Sequence, residues 1–507
     1  MDFKPLPTLL DDMATCYGDS PVAHLNVDNS ISYAEWQQKS LVVAGALAQI
    51  GVSRGSTIGL AFSQRDWLDY LVAYIAVLRL GAVAVSLPSA RPPGELGQLS
   101  TLVSAGTVIS SASNMVADFP GAIVPYSSLV AASAPPALQC ELAPNECAEV
   151  LFTSGTTGQP KAIWCAHADL VSVPRYKIFD GAIRMQGFYP TGSSAAQGVV
   201  QQMLQPTRYW SGRLEVWNFG TFQPRPFLRN VDDSRINALR LTPTIAKLLV
   251  EEIAAHPGRY DMSSVSWIKL SAAYSSPTLL DRIKGSFPNA QITNFYGSTE
   301  SGRVCLRMIY EEDDPASLGR AAPGTEVQIR DAAGHPVPNG SVGEIWLRAI
   351  GQRSSRPPGE SGLVQPDAWV SGGDLGAMSE DGSVYLFGRL KDVINVGGIK
   401  VSPVAVERAL ESHPSVQAAA AFPVGDDLLG EVVGVAIVPS IQSRVPTTDD
   451  LLAYAAALLH KIEIPRTILI LEELPLNPVG KVDKRILSSM VQCHPSPPAP
   501  GRATRTR

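Results

Sequence analysis

The sequence is poor in cysteine and histidine, and neither residue type is clustered. Six of the 507 residues are cysteine and seven are histidine, and no Cys-x-x-Cys pair occurs. Scattered cysteines argue against an extracellular disulfide framework, and the missing ligand spacing argues against a zinc site. These absences predict a protein of a reduced, cytoplasmic compartment.

A long hydrophobic run and a strong charge of one sign are also missing. The longest apolar stretch, residues 71–87, contains Arg79 and Gly81 and is too short to span a bilayer. Residues 1–12 lack the basic-then-apolar order of a signal peptide. A net charge of −6 with 17% charged residues indicates no general surface for nucleic acid. We therefore expect a soluble enzyme with neither a membrane nor a nucleic acid as partner.

Apolar helical patterns alternate with short β-rich runs up to about residue 388. Residues 68–81 read as a buried helix that ends at Gly81, and residues 82–87 read as the strand after it. Residues 233–255 read as a strand, a Thr-Pro helix start and an amphipathic helix. This alternation favours parallel α/β layers, in which ligands bind at the carboxyl ends of strands.

The length of the chain leaves room for several domains. We predict an α/β protein with a large N-terminal domain of parallel-rich sheets over residues 1–388. Its segment 317–388 is rich in β runs and in Gly, Pro and Asp turns, which predicts a small β-rich subdomain. A small α+β C-terminal domain is expected over 389–490. Residues 491–507 are Pro-rich and basic without an apolar pattern, which predicts a disordered tail.

The stretch LFTSGTTGQPKAI at residues 151–163 has the composition of a phosphate-binding loop. Its glycines are separated by two threonines, and its lysine follows a proline, so the spacing of a Walker loop is absent. Backbone N–H groups, hydroxyls and one cation still suit a polyphosphate. A plain turn after a strand explains the composition equally well. The candidate phosphate-loop residues are Thr153, Ser154, Gly155, Thr156, Thr157, Gly158 and Lys161.

The stretch NFYGSTESG at residues 294–302 brings an aromatic ring, hydroxyls and a carboxylate to the end of a predicted strand. Tyr296 can stack on a nucleobase, Thr299 can donate to a phosphate oxygen, and Glu300 can hold Mg²⁺. A strand-to-helix turn capped by Ser, Thr and Glu is the alternative.

Residues 369–403 add a carboxylate, a guanidinium and a glycine turn. Asp374 can accept hydrogen bonds from both ribose hydroxyls, and Arg389 can reach ribose or phosphate. The Gly-Gly pair at 397–398 either lines a narrow channel or forms an ordinary hairpin. Further along, Lys481 follows a Pro-Val-Gly turn and, taken alone, reads as a surface lysine.

In this order and spacing, the stretches TSGTTGQPK, YGSTE, GD with GRLKD, and NPVGK resemble the adenylate-forming superfamily. That superfamily includes acyl-CoA synthetases, peptide-synthetase adenylation domains and luciferase, and the resemblance runs from about residue 31 to residue 487. It implies a two-step reaction. A carboxylate attacks the α-phosphate of ATP to give an acyl-adenylate and pyrophosphate, and a thiol then displaces AMP.

The resemblance assigns roles in the first step to matching residues. Lys481 would bridge the substrate carboxylate and the α-phosphate, Thr299 would contact that phosphate, and Glu300 would help to hold Mg²⁺. The loop 153–161 would hold the β- and γ-phosphates. The residues assigned to adenine and ribose are Ser271, Ala272, Ala273, Asn294, Phe295, Tyr296, Asp374 and Arg389.

For the second step the resemblance implies that the small domain rotates. Lys391 would be the hinge, and the turn at Gly397 and Gly398 would border the coenzyme A channel. Such gating separates two chemical steps in one cleft.

Two segments depart from the family pattern. In SAAYSSP, Ser271 and Tyr274 stand where the family usually has Gly and Pro. In residues 187–200, small side chains replace an aromatic or histidine gate, which suits either a bulky, rigid acyl group or close packing of a helix. The candidate acyl-pocket residues are Tyr189, Gly192, Ser193, Gly297 and Ser298.

The leading interpretation is an ATP- and Mg²⁺-dependent ligase that converts a carboxylic acid into its coenzyme A thioester. We find no clear aspartate for pairing with an α-amino group and no following carrier domain, which favours a free-standing acyl-CoA ligase. Two alternatives are loading of a carrier-protein phosphopantetheine and non-catalytic binding of nucleotide or acyl ligand. The acid and the oligomeric state, including a homo-oligomer, are left open.

Overall fold

The computed structural model describes residues 3–88, 93–111, 119–132, 140–154, 160–171, 181–205, 212–219, 221–298, 305–348, 369–440, 445–475 and 482–492. Contacts divide the chain into two compact units. Unit 1 consists of Met1–Ser275, Leu279–Gln328 and Trp346–Gly372. Unit 2 consists of Ser276–Thr278, Ile329–Ile345 and Gly373–Arg507. The predicted domain boundary at 388/389 stays a prediction.

The helices of the described residues are α1 (Leu6–Tyr17), α2 (Tyr33–Gln49), α3 (Trp67–Arg79), α4 (Pro93–Leu102), α5 (Tyr126–Val130), α6 (His167–Val171), α7 (Ser194–Leu204), α8 (Pro224–Asp233), α9 (Pro243–Ala255), α10 (Pro277–Ser286), α11 (Pro403–Glu411), α12 (Thr448–Leu458) and α13 (Lys484–Gln492), with a 3₁₀ turn at Gln64–Asp66. Several begin where a polar side chain caps the first turn. Thr242, for example, accepts a hydrogen bond from the Ile245 N–H at 3.3 Å, as the Thr-Pro signal predicts. None of these helices has the length and apolar composition needed to cross a membrane.

The strands of the same residues are β1 (Pro21–His24), β2 (Ser30–Ser32), β3 (Thr57–Ala61), β4 (Val83–Ser86), β5 (Thr107–Ser110), β6 (Ala122–Pro125), β7 (Cys147–Ser154), β8 (Pro160–Ala166), β9 (Ile183–Gly187), β10 (Leu214–Asn218), β11 (Ala238–Leu241), β12 (Trp267–Ser271), β13 (Gln291–Tyr296), β14 (Leu306–Ile309), β15 (Arg320–Ala321), β16 (Glu326–Arg330), β17 (Gly343–Arg348), β18 (Val370–Met378), β19 (Val384–Arg389), β20 (Ile394–Val396), β21 (Ile399–Val401), β22 (Val416–Asp426), β23 (Gly430–Pro439) and β24 (Thr467–Ile470).

Unit 1 contains two large sheets whose inner strands are parallel. Within the described residues, one sheet has the order β6-β5-β3-β4-β7-β8, with only β8 antiparallel to its neighbour. The other has the order β15-β14-β13-β12-β11-β9-β10-β1-β2 and is parallel from β13 to β1. One apolar core joins side chains of both sheets to helices α1, α2, α3 and α7, and the fully buried Trp36 and Trp67 belong to it. The parallel α/β architecture that the alternating pattern predicts is therefore confirmed.

The remaining strands form two smaller sheets. A four-stranded sheet has the order β16-β17-β18-β19, in which β18 and β19 are antiparallel. In unit 2, β21-β20-β23-β22 form a sheet to which β24 adds by pairing with β23. Side chains of this sheet pack with α11 and α12 in a separate core around Val406, Val435 and Leu451. The smaller unit is thus an α+β structure with its own apolar core.

Candidate active site

The carboxyl ends of the central parallel strands of unit 1 lie side by side. The pairing register puts Gly187 of β9 opposite Arg240 of β11, Arg240 opposite Lys269 of β12, and Lys269 opposite Thr293 of β13. Because these strands are parallel, the segments that follow them start at one edge of the sheet. The structure therefore brings together the predicted adenine residues of 271–273 and 294–296 and the predicted acyl-pocket segments.

The predicted adenine wall has an unusual backbone. Ala272 has a φ of +80° directly after β12, in the left-handed region that a Cβ atom disfavours. Strained residues of this kind cluster at ligand sites. Ala272 and Ala273 are exposed, and Ser271 is half-buried and pairs with Phe295 in the sheet. The strain marks this segment as a candidate site on grounds independent of the motif.

The residues at the end of β13 differ in burial. Asn294 is 3% exposed, and its Oδ1 atom has no hydrogen-bond partner among the described residues. The ring of Phe295 is buried and has the Lys269 Nζ atom 4.3 Å from its centroid. Tyr296 is half-buried. An unpartnered buried acceptor costs free energy unless a ligand or water donates to it.

The predicted acyl-pocket residues near α7 have firm structural positions. Tyr189 is 1% exposed, and Asn218 bonds both its N–H, at 2.9 Å, and its carbonyl oxygen, at 3.0 Å. Gly192 has a φ of +78°, and a Cβ atom there would lie 2.3 Å from the Leu87 carbonyl oxygen. Ser193 caps α7 by accepting from the Ala196 N–H at 3.2 Å. Gly192 and Ser193 therefore have packing and capping roles, and their place in an acyl pocket stays a prediction.

The rest of that predicted pocket lies in the loop after β13. Gly297 is exposed and Ser298 is half-buried. Both continue from the carboxyl end of a strand, where a ligand of a parallel sheet is expected.

The candidate phosphate loop connects two antiparallel strands. Thr153 is opposite Lys161 and Ser154 is opposite Pro160 in the β7–β8 ladder. The segment follows strand β7, as the alternative of a plain turn after a strand also requires. Gly155, Thr156, Thr157 and Gly158 lie outside the described residues, and Lys161 is exposed. A Walker loop opens a helix, whereas a strand follows here, so the absence of Walker architecture is confirmed.

The predicted ribose residues pair with each other in unit 2. Asp374 of β18 is directly opposite Arg389 of β19, and the Arg389 Nε atom lies 3.2 Å from the Asp374 Oδ1 atom. Asp374 is 8% exposed, whereas the Arg389 side chain is 42% exposed. The guanidinium contact orients the Asp374 carboxylate, a group that accepts hydrogen bonds from several donors.

The predicted hinge residue and the predicted channel glycines lie in turns of unit 2. Lys391 is exposed between β19 and β20. Gly397 and Gly398 have φ values of +59° and +89° and form the two-residue turn between β20 and β21. The hairpin interpretation of this turn is confirmed, and the hinge and channel roles stay predictions.

Two family models match the chain. The model of the AMP-binding enzyme matches residues 10–352, and that of the AMP-binding enzyme C-terminal domain matches residues 405–481. The chain belongs to the AMP-binding enzyme family. The predicted resemblance to adenylate-forming enzymes is therefore confirmed.

Individual relatives of this AMP-binding enzyme share about a quarter of its residues. It is 24% identical to the 4-coumarate–CoA ligase 2 of Solanum tuberosum in an alignment of length 494, gaps included, that covers 91% of this chain and 89% of the relative. It is 24% identical to the oxalate–CoA ligase of Arabidopsis thaliana in an alignment of length 523, gaps included, that covers 96% of this chain and 99% of the relative. The solved o-succinylbenzoate CoA synthetase of Bacillus subtilis, in complex with its acyl-adenylate intermediate, has a TM-score of 0.79 at 20% identity and covers 96% of this chain and 98% of that one. The last likeness shows a common fold.

Three residues with predicted roles in catalysis lie outside the described part of this AMP-binding enzyme. These are Thr299, Glu300 and Lys481. Within the residues that are described, no group of three or more His, Cys, Asp or Glu side chains is placed to hold a metal ion. The roles of the three residues therefore stay predictions.

Two cations at the sheet edge belong to none of the sequence motifs. Arg240 and Lys269 are half-buried cross-strand partners near the carboxyl ends of β11 and β12. In the sequence, each of them is a single cation inside a short apolar strand. Such a pattern matches no known motif. Only the pairing of strands separated by some thirty residues places the two charges together.

Proposed function

We propose that this AMP-binding enzyme is an acid–thiol ligase that forms AMP. It would join a carboxylic acid to ATP as an acyl-adenylate and then transfer the acyl group to the thiol of coenzyme A. The observation that carries the proposal is the match of both family models, one at residues 10–352 and the other at residues 405–481. The curated relatives named above are coenzyme A ligases.

The nucleotide would bind through the groups that the resemblance assigns to adenine, ribose and phosphate. Adenine presents an exocyclic amine, a donor that would satisfy the buried Asn294 Oδ1 atom at the end of β13. Asp374, oriented by Arg389, would accept hydrogen bonds from the ribose hydroxyls. The hydroxyls and backbone N–H groups of the loop between β7 and β8, together with Lys161, would hold the departing pyrophosphate.

Charge is the main obstacle to the first step, because a carboxylate must approach a polyphosphate. Fixed cations that face the reacting oxygens lower this barrier most when they are positioned beforehand. Lys481 would supply such a cation between the carboxylate and the α-phosphate, and Thr299 would donate to that phosphate. Mg²⁺ would neutralise phosphate charge, with Glu300 as its protein ligand.

The second step would need a different arrangement of the small unit. Lys391 would be the hinge, and the turn at Gly397 and Gly398 would border the path of the coenzyme A thiol. Glycines with positive φ leave this turn without side chains that would narrow such a path.

The first test is a substitution of Lys481. Lys481→Ala should lower acid-dependent ATP–pyrophosphate exchange by at least about 100-fold, because one preorganised charge contact is removed. Thioester formation from supplied acyl-adenylate and coenzyme A should be retained. Lys461→Ala, which removes an exposed lysine of the same unit, is the matched control and should retain both half-reactions.

Each alternative has its own outcome. Equal loss of both half-reactions in Lys481→Ala would contradict the division of labour between the two steps. If the acyl group passes to a holo-carrier protein in preference to coenzyme A, the carrier-loading alternative is correct. Nucleotide binding without exchange for any acid would indicate a non-catalytic binding protein.

A further inference from the structure

Several buried polar groups near α7 have no hydrogen-bond partner among the described residues. Tyr189 is 1% exposed, and its hydroxyl is one of these groups. Gln201 is fully buried with both amide atoms unpartnered, and the Oε1 atom of the fully buried Gln197 is unpartnered as well. Folded proteins satisfy nearly all such groups with protein, water or ligand. This part of the interior therefore holds polar groups whose hydrogen-bonding capacity the described residues do not use.

The Tyr189 ring lies next to a cation. The Arg240 Cζ atom is 5.4 Å from the centroid of this ring, and Arg240 Nη1 donates to the Ala195 carbonyl oxygen at 3.3 Å in the first turn of α7. Lys269 is the direct cross-strand partner of Arg240. Like charges placed opposite each other on neighbouring strands repel, so an anion that binds beside both would be stabilised by both.

Two glycines make room around these side chains. A Cβ atom on Gly187 would lie 2.6 Å from the Tyr189 Cζ atom and 2.7 Å from its hydroxyl, so the tip of the ring lies directly over that glycine. Gly198 of α7 faces the guanidinium, since a Cβ atom there would lie 3.9 Å from both Arg240 Nη atoms. Gly187 is also the cross-strand partner of Arg240. The phenol and the guanidinium therefore lie together at the carboxyl edge of the sheet.

We propose that the acid substrate carries a second carboxylate, which Arg240 and the Tyr189 hydroxyl bind while Lys269 adds positive charge. This inference rests on the proposed ligase function, because the carboxylate to be activated would react at the same sheet edge. A guanidinium matches the geometry of a carboxylate, and a phenol can donate a further hydrogen bond to it.

The state of Tyr189 agrees with a donor role. Burial raises the pKa of the Tyr189 hydroxyl well above its usual value, and the nearby Arg240 only partly offsets this rise. The hydroxyl therefore keeps its proton at neutral pH and can donate it in a hydrogen bond.

The test compares acids in matched pairs with one and two carboxylates. The pairs are butanoate with succinate and 4-methylbenzoate with terephthalate, and the readout is kcat/KM for ATP–pyrophosphate exchange. We expect the wild-type enzyme to prefer the dicarboxylate of at least one pair. Arg240→Met should reduce this preference by about 10- to 100-fold, the range for a lost hydrogen bond to a charged group. Tyr189→Phe should reduce it by about 5-fold, the value of one ordinary hydrogen bond.

Control variants separate this effect from loss of folding. Arg184→Met removes an exposed arginine near the other end of β9 and should keep the wild-type preference. Arg240→Lys retains the charge and should keep part of the preference. An unchanged preference in Arg240→Met, or a preference of the wild type for the monocarboxylate of both pairs, would overturn the inference and leave water as the occupant of the polar site.

Calorimetric titration of succinate and terephthalate without ATP distinguishes the two proposals. Binding of a dicarboxylate that Arg240→Met abolishes, with no exchange in the wild type, would support the carboxylate site and contradict the ligase. Exchange and thioester formation with monocarboxylates alone would support the ligase and contradict the second-carboxylate site.

Discussion

The two units differ in whether polar side chains that are buried or half-buried have hydrogen-bond partners among the described residues. In unit 2, Glu407 accepts from the Lys484 Nζ atom at 2.8 Å and from the Ala421 N–H at 3.0 Å. In unit 1, the Tyr189 hydroxyl and the Gln201 amide are buried without a partner among the described residues. A polar group that the fold satisfies is part of the structure, whereas a group left over is available to a ligand. The Tyr189 hydroxyl and the Gln201 amide therefore indicate a binding site at the edge of the nine-stranded sheet.

His167 of unit 1 shows that not every unpartnered buried polar group lies at a candidate ligand site. His167 of α6 is 1% exposed, and neither ring nitrogen has a partner among the described residues, yet it lies beside the surface pair of Arg54 and Glu146 and not at the candidate site. Burial lowers the pKa of His167 to about 4, so its ring is neutral at pH 7. An unpartnered buried polar group is therefore not sufficient by itself to mark a candidate site.

The largest effect on stability is expected from breaking the ion pair between Glu407 and Lys484. Lys484→Met leaves the half-buried Glu407 carboxylate without its cation, which should lower the free energy of unfolding of unit 2 by about 3–4 kcal/mol, the low end of the range for a pair shielded from water. Hydrogen exchange of the β22 and β23 amides measures this loss. Lys484→Arg should retain most of the stability, and combining Glu407→Leu with Lys484→Met should restore much of it. A loss below about 1 kcal/mol would show that the pair is effectively solvated.

The second-largest effect is a pH dependence of the free energy of unfolding that comes from His167. The pKa of His167 lies near 4 in the folded state and at about 6.5 when unfolded. The unfolded state therefore binds more protons, and unfolding free energy should fall by up to about 3 kcal/mol as pH drops from about 6.5 to 4. Denaturant unfolding of wild type and His167→Leu should show a shallower loss in the variant. Equal slopes would mean that His167 is hydrated in the folded state.

The smallest effect compares two buried tyrosines of unit 1. The Tyr74 hydroxyl donates to the Glu149 Oε2 atom at 2.7 Å, so Tyr74→Phe should lower the free energy of unfolding by about 1.5–3 kcal/mol. Tyr189→Phe removes an unpartnered hydroxyl and should leave this free energy unchanged or raise it by about 1 kcal/mol in the absence of substrate. Thermal unfolding of both variants checks the difference. A destabilised Tyr189→Phe protein would show that a buried water or protein group already bonds this hydroxyl.

Features that depend on neighbours in sequence were predictable. Residues 379–384, SEDGSV, contain an Asp-Gly pair typical of a hairpin turn, and they form one between β18 and β19, with the Ser379 N–H donating to the Ser383 carbonyl oxygen at 2.9 Å. The helix start at Thr242 and the strand before the phosphate loop were predictable for the same reason. Capping, turn conformation and periodic burial all act over a few residues, so short patterns are sufficient to indicate them.

The charged edge of the sheet was not predictable from such patterns. Arg240 stands in an apolar strand that gives no hint of its neighbours, and Gly187 and Gly198 look like ordinary glycines in a segment of small residues. Their relation to Tyr189 requires the β9–β11 register and the position of α7 over the sheet. Burial of Tyr189 is likewise a property of the assembled core.

The sequence by itself determined the family of this protein and the positions of its candidate nucleotide residues. Each motif is a short continuous segment, and the order of the motifs can be read directly along the chain. Tertiary structure alone decided which polar groups are buried, which of them have partners, and which charges meet across strands. Those properties depend on packing between segments far apart in the chain. No single segment carries the information that the Arg240 guanidinium lies beside the Tyr189 ring.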